Sequence, residues 1–229
     1  MPRQFLAQHL AGLGRLDESM AWTERAVELS GDQVPALFNV RMFVAFGDME
    51  RAAEIVQTLP DDHPFAKYID GVLLLLDADL QGTLEFFSAM FDSAEPSDAN
   101  QFPAGVAAQI AILLGDYERA REFVFIDEPI LREDTEMQID KFTIPSIIRL
   151  AYISQREGDR AYAQKLLLAA LPVVREQPRM GWFGQGIHEV RILALLGRKD
   201  DALGALRSLI DDGFREPILT DLWSLAQDP

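Results

Sequence analysis

A six-residue phrase recurs along this chain and limits what it can fold into. It is clearest at Gly115-Asp116-Tyr117-Glu118-Arg119-Ala120 and returns at Gly47-Asp48-Met49-Glu50-Arg51-Ala52, Gly158-Asp159-Arg160-Ala161-Tyr162-Ala163 and Gly197-Arg198-Lys199-Asp200-Asp201-Ala202. Gly14-Arg15-Leu16-Asp17-Glu18-Ser19 is a looser copy, and Ala78-Asp79-Leu80-Gln81-Gly82-Thr83 the loosest. Each reads as one helix ending and another beginning. Glycine takes the left-handed backbone that closes a helix. The aspartate after it offers a carboxylate to the bare N–H groups of the next helix, and an acidic residue such as Glu118 suits the first turn. Successive turns start 33, 31, 37, 43 and 39 residues apart, the period of stacked helical hairpins. Five positions after each start stands Ser19, Ala52, Thr83, Ala120, Ala163 or Ala202. All six are small, as they must be where two helix backbones come close.

The apolar spacing between corners predicts an all-α chain of about six helix pairs, near 1–31, 33–60, 64–92, 99–126, 140–176 and 183–213. A last helical piece is expected at 216–227. The helix carrying Phe65, Tyr68, Ile69, Val72, Leu73 and Leu76 is apolar nearly all round and is expected to be buried on two sides. Ser93 to Pro103 reads as a loop, and Ile126 to Asp140 as a solvated acidic loop or short helix that lengthens one repeat.

Composition narrows the function classes. With 48% hydrophobic and 25% charged residues the chain is an ordinary folded one. The absence of cysteine removes thiol nucleophiles, disulfides and cysteine-held metals. A net charge of −16 disfavours direct contact with nucleic acid. The charge is uneven: Lys141 to Arg207 holds 11 basic and 6 acidic residues, a balance of +5, and the remainder 10 and 31, a balance of −21. The late repeats therefore suit an acidic partner or the acidic early repeats of another copy. No apolar run reaches the ~18 residues of a membrane span. The start, Met1-Pro2-Arg3-Gln4-Phe5, lacks the long apolar core of a secretion signal. A cytoplasmic protein is expected, or a periplasmic one if tethered downstream of a span.

The corner phrase resembles the Gly-Asp-Tyr-Asp-Glu-Ala turn of tetratricopeptide repeats, and in the first unit the likeness runs on through Ala26, Val27, Glu28 and Leu29. The resemblance covers almost the whole chain and implies a right-handed superhelix. The ending, Ala205 to Arg215 with Trp223 and Asp228-Pro229, resembles the C-terminal repeat regions of bacterial signalling proteins, where such an array follows a winged-helix or adenylate-cyclase domain. In that family a Phe-containing helix comes after the Asp-Pro, so the chain is expected to be a piece of a longer protein.

The resemblance implies that the first helices line a concave face. Registering on the turn then places Gln8, Arg41, Tyr68, Gln109, Tyr152, Arg156 and Arg191 along it, types suited to an acidic or C-terminal peptide. The implied function is a non-catalytic interaction or sensory module of a bacterial regulator, with self-association or a small-molecule pocket as alternatives. Trp182-Phe183 among glycines is a candidate interface between copies. No catalytic, cofactor or metal site is expected. His188-Glu189 lacks the second histidine of a zinc helix, since Ile192 stands there. Asp61-Asp62-His63 reads as a solvated connection, and no Gly-Lys-Ser/Thr comes after Gly181 to Gly186.

Overall fold

In a computed structural model, the residues described are 6–7, 9–10, 15–30, 50, 53–54, 57, 71, 74, 79–92, 101–132, 139–180 and 184–214. Among them are eight α-helices and no strand. They are α1 (Leu16–Ser30), α2 (Leu80–Asp92), α3 (Gln101–Leu114), α4 (Tyr117–Asp127), α5 (Ile144–Arg156), α6 (Arg160–Arg175), α7 (Gly186–Leu195) and α8 (Lys199–Asp211). A 3-10 turn, Pro129–Arg132, comes after α4. The chain divides into two compact units, Gly71–Leu209 and Met1–Asp70 with Ile210–Pro229.

Three of the six corners lie wholly among the described residues and two more from their second residue onward, and all five close with the same backbone bond. The N–H of Arg15, Asp79, Asp116, Asp159 and Arg198 donates to the carbonyl five residues back, on Leu10, Leu74, Ala111, Ser154 and Leu193, at 2.8 to 3.1 Å. That bond, with a second from the residue before it at Gly115, Gly158 and Gly197, satisfies carbonyls that a helix end leaves bare. The three glycines have φ of 76°, 95° and 74°, backbone that a side chain strains. The Gly47 corner lies outside the described residues.

Side chains finish the corners in two ways. The carboxylates of Asp79, Asp116 and Asp159 accept from the N–H of Gly82, Arg119 and Tyr162 at 2.8, 3.2 and 3.0 Å, each capping the helix it precedes. At the other two corners an arginine takes that place and reaches forward to an acid in the first turn. Arg15 meets Glu18 with two bonds of 2.6 and 2.7 Å, and Arg198 Nε meets Asp201 at 2.7 Å.

The small residues sit where the spacing puts them. Ser19, Thr83, Ala120, Ala163 and Ala202 are all buried. The two hydroxyls lose no partner there: Ser19 Oγ donates to the Ala7 carbonyl at 2.6 Å, and Thr83 Oγ1 to the Asp79 carbonyl at 2.6 Å.

Within Gly71–Leu209 the helices obey one packing rule. α3 packs on α4 and α5 on α6, the two helices of a corner. Each second helix also meets the first helix of the next pair: α2 against α3, α4 against α5, α6 against α7. First helices touch in turn, since α5 contacts both α3 and α7. The core is the apolar stripe each helix turns inward, with Phe87, Ile110, Ile147, Leu150, Ile153, Leu166, Leu167 and Ile192 fully buried. Gly71 faces Phe87 so closely that a Cβ would lie 2.6 Å from the ring. Gly186 opens α7 against Leu209 of α8, where a Cβ would sit 2.5 Å from its side chain. Close approach thus explains two glycines of the Gly181–Gly186 turn, since a Cβ at Gly184 would lie 2.7 Å from the Arg179 carbonyl oxygen.

Two expectations are corrected. The loop read over Ser93 to Pro103 ends earlier, because α3 begins at Gln101. Pro103 falls in its first turn, where a missing N–H breaks no helix bond. The segment from Ile126, read as a solvated loop or short helix, begins in α4, which runs to Asp127; the short helix is there, at Pro129–Arg132, but its Leu131 is buried. Residues 133–138 lie outside the described residues, as do the Asp61–His63 connection, Trp182-Phe183 and the 216–227 piece. No described helix is long and apolar enough to cross a membrane.

Candidate functional site: the first-helix face

The corners set a common register for α3, α5 and α7. Six residues before the glycines stand Gln109, Tyr152 and Arg191, and nine residues before them Val106, Arg149 and His188. Two residues before them stand Leu113, Arg156 and Leu195. These positions recur at helical spacing, so each set lies on one face of its helix. On α3 the face is closed: Val106 and Gln109 are buried, and only Leu113 is exposed. On α5 it opens, with Arg149 half-buried, Tyr152 at 9% exposure and Arg156 exposed. On α7, His188 is buried and Arg191 and Leu195 are half-buried.

The best-defined constellation lies at the C-terminal end of α5. Arg156 is the last residue of the helix, and one turn back Tyr152 points its hydroxyl at it. Arg156 Nε donates to Tyr152 Oη at 2.8 Å, and the guanidinium carbon lies 5.2 Å from the Tyr152 ring centroid. Tyr117, opening α4, meets the Tyr152 ring edge to face at 6.3 Å. The hydrogen bond to Tyr152, with smaller contributions from Tyr117, raises the guanidinium pKa. Arg156, like any arginine, is charged at physiological pH. Next to it, Gln155 Nε2 donates to the Leu195 carbonyl at 2.8 Å and ties the ends of α5 and α7 together.

At the other end of α5 a second cluster crosses three helices. Ser146 Oγ donates to Asp127 Oδ2, Arg149 Nη1 lies 3.4 Å from the same oxygen, and Gly105 of α3 lies beside both. Any Cβ at Gly105 would sit 3.4 Å from the Arg149 guanidinium. Arg149 is thereby neutralised and turned toward the packing between pairs. Beside the cluster, Glu128 has its pKa pushed up to about 6, first by burial and then by the charges of Asp127 and Asp140.

Of the seven residues read from the sequence, four can be placed. Tyr152 and Arg156 touch each other, Gln109 is buried in α3, and Arg191 is half-buried on α7. Gln8, Arg41 and Tyr68 lie outside the described residues. The sequence reading missed Tyr117, Ser146, Arg149 and Asp127. Tyr117 was legible, since it stands directly after Gly115-Asp116 in the strongest corner. Asp127 was not, because its partners stand 19 and 22 residues away on another helix. Among the described residues no cluster of three or more His, Asp or Glu side chains could hold a metal ion.

No model of a known protein family matches the chain, and neither does any curated protein.

Proposed function

We propose that this chain is a right-handed superhelix of about six tetratricopeptide-like helix pairs. In this reading it is a non-catalytic interaction module of a bacterial regulatory protein, holding a peptide or partner protein on its first-helix face. The pairs span about 1–31, 33–60, 64–92, 99–126, 140–176 and 183–213, with a capping helix over 216–227. One observation carries the reading: five corners closed by the same backbone bond, with the first helices α3, α5 and α7 packed side by side in turn. Repeats of this kind bury their apolar faces only by stacking, which leaves a continuous surface of first helices for a ligand. The positive local balance of Lys141 to Arg207 and the exposed Arg156 fit a partner with acidic groups. The bacterial regulatory setting rests on the likeness of the Ala205 to Arg215 ending.

Partner recovery from the source organism tests this directly. The immobilised chain should retain a partner that the Arg156→Glu/Arg191→Glu variant loses. Lys199→Glu, on a second helix, should retain it. Equal recovery by all three chains would count against the first-helix face.

A further inference from the structure

Resting on that reading of the face, we infer that Arg156 is a preset receptor for side-chain carboxylates of an extended acidic segment in the partner. Several described arginines are already matched. Arg121 pairs with Glu157, Arg149 with Asp127, Arg175 with Glu189 and Arg198 with Asp201. Among the described residues no carboxylate pairs with Arg156. Its contacts are aromatic: the Tyr152 hydroxyl fixes Nε, and the Tyr152 ring lies alongside the guanidinium.

This arrangement does two things for a carboxylate. It restricts a long side chain before binding, so less freedom is lost when the ligand arrives. It also occupies Nε, while Tyr117 stands close enough to act on the same guanidinium, and the Nη hydrogens that face solvent can meet a carboxylate. The Tyr152 hydroxyl accepts from Arg156, and its own proton remains to be donated. Arg156 is exposed, so a ligand reaches it without displacing the core. Charge selects the occupant: the Lys141 to Arg207 stretch that carries Arg156 is net positive in a chain that is otherwise strongly acidic.

The probe is a fluorescent hexaglutamate peptide, acetylated and amidated, titrated into the full chain and monitored by anisotropy at low salt. Hexaglutamine with an amidated end is the neutral control. Hexaglutamine with a free end carries only a terminal carboxylate, and binding of that peptide as tight as hexaglutamate would overturn the assignment to side chains. Arg156→Gln should weaken hexaglutamate binding about tenfold or more. Arg156→Lys should lose nearly as much, because it keeps the charge but not the fork. Tyr152→Phe should lose less, as expected of a positioning residue, while Arg160→Gln should stay within about twofold of wild type. Circular dichroism should show every variant folded. Full binding by Arg156→Lys would reduce the site to bare charge and overturn the receptor. If Arg191→Gln weakens binding and Arg156→Gln does not, the face stands and the receptor falls. If neither does, both fall. Self-association of the chain without peptide, abolished by Arg156→Gln in sedimentation velocity, would put a second copy in place of the acidic partner and overturn the proposal.

Discussion

At the corner between α3 and α4 an aspartate, Asp116, accepts from the helix it precedes; between α7 and α8 an arginine, Arg198, stands in that place and reaches forward to Asp201. The backbone is the same at both. Asp116 and Arg198 donate to carbonyls five residues back at 2.9 Å, and Gly115 and Gly197 have φ of 76° and 74°. The corner is thus a property of glycine and the backbone, and the next residue only decides how the new helix start is satisfied. An aspartate bonds the bare N–H groups itself. An arginine orders the acidic residue that complements the helix dipole, a weaker device because it works between solvated charges.

The largest effect should separate the two corners at their small residues. Ala120 is fully buried and Ala202 is 6% exposed. Ala120→Arg should cost about 2 kcal/mol or more, by overpacking and by burying a charge, and Ala202→Arg should cost less. Equal melting temperatures for wild type and Ala120→Arg would break the idea that these positions are contacts between helices.

The capping residues come next. Asp116→Ala should cost about 1 kcal/mol in denaturant unfolding, and Arg198→Ala no more than about half that. Equal losses would mean that the two devices are equivalent. Gly197→Ala should also cost about 1 kcal/mol, from backbone strain alone, because a Cβ there meets nothing within 4 Å. Gly115→Ala should match it, since its surroundings are equally open. A difference between the two would show that the corners are not alike in backbone.

The smallest effect lies in the connections between pairs. An acidic connection leads out of α4, whereas the connection from α6 to α7 carries Arg179, which bonds Ser208 of α8 at 3.0 Å. Glu128 in the first connection has a folded pKa of about 6, above its ordinary 4.5, through burial and its acidic neighbours. The folded chain therefore holds that proton more tightly than the unfolded one. The stabilisation is complete below pH 4.5 and is lost as pH rises through about 6. Glu128→Gln should remove this slope. Melting temperatures of wild type and variant across that window should differ in their pH dependence, and parallel curves would refute the shift. The effect is modest because Glu128 is only half-buried.

Most of the described helical layout was legible because its signals are local. Gly115, Asp116 and Ala120 act within one turn of chain, so sequence spacing alone places them. Thr83 could be read the same way even where Ala78 replaces glycine, since Asp79 still caps and the buried hydroxyl finds its own helix. The start of α3 was misread because Pro103 and its polar neighbours look like a loop, although a first turn tolerates proline. The site was legible in outline only. Tyr152 and Arg156 are four residues apart on one helix, and their contact is a consequence of that spacing. The neutralisation of Arg149 by Asp127 depends on how α4 meets α5, which no local pattern encodes.

Each described corner completes its own hydrogen bonds and, where an aspartate is present, its own cap. A duplication spanning one corner to the next, such as the 39 residues from Gly158 to Gly197, would keep each corner's backbone bonds and make one new junction, α7 against a second α6. Lengthening the chain in whole units would thus ask new side-chain packing of that junction alone, and every added unit would present one more first helix to whatever lies against that face.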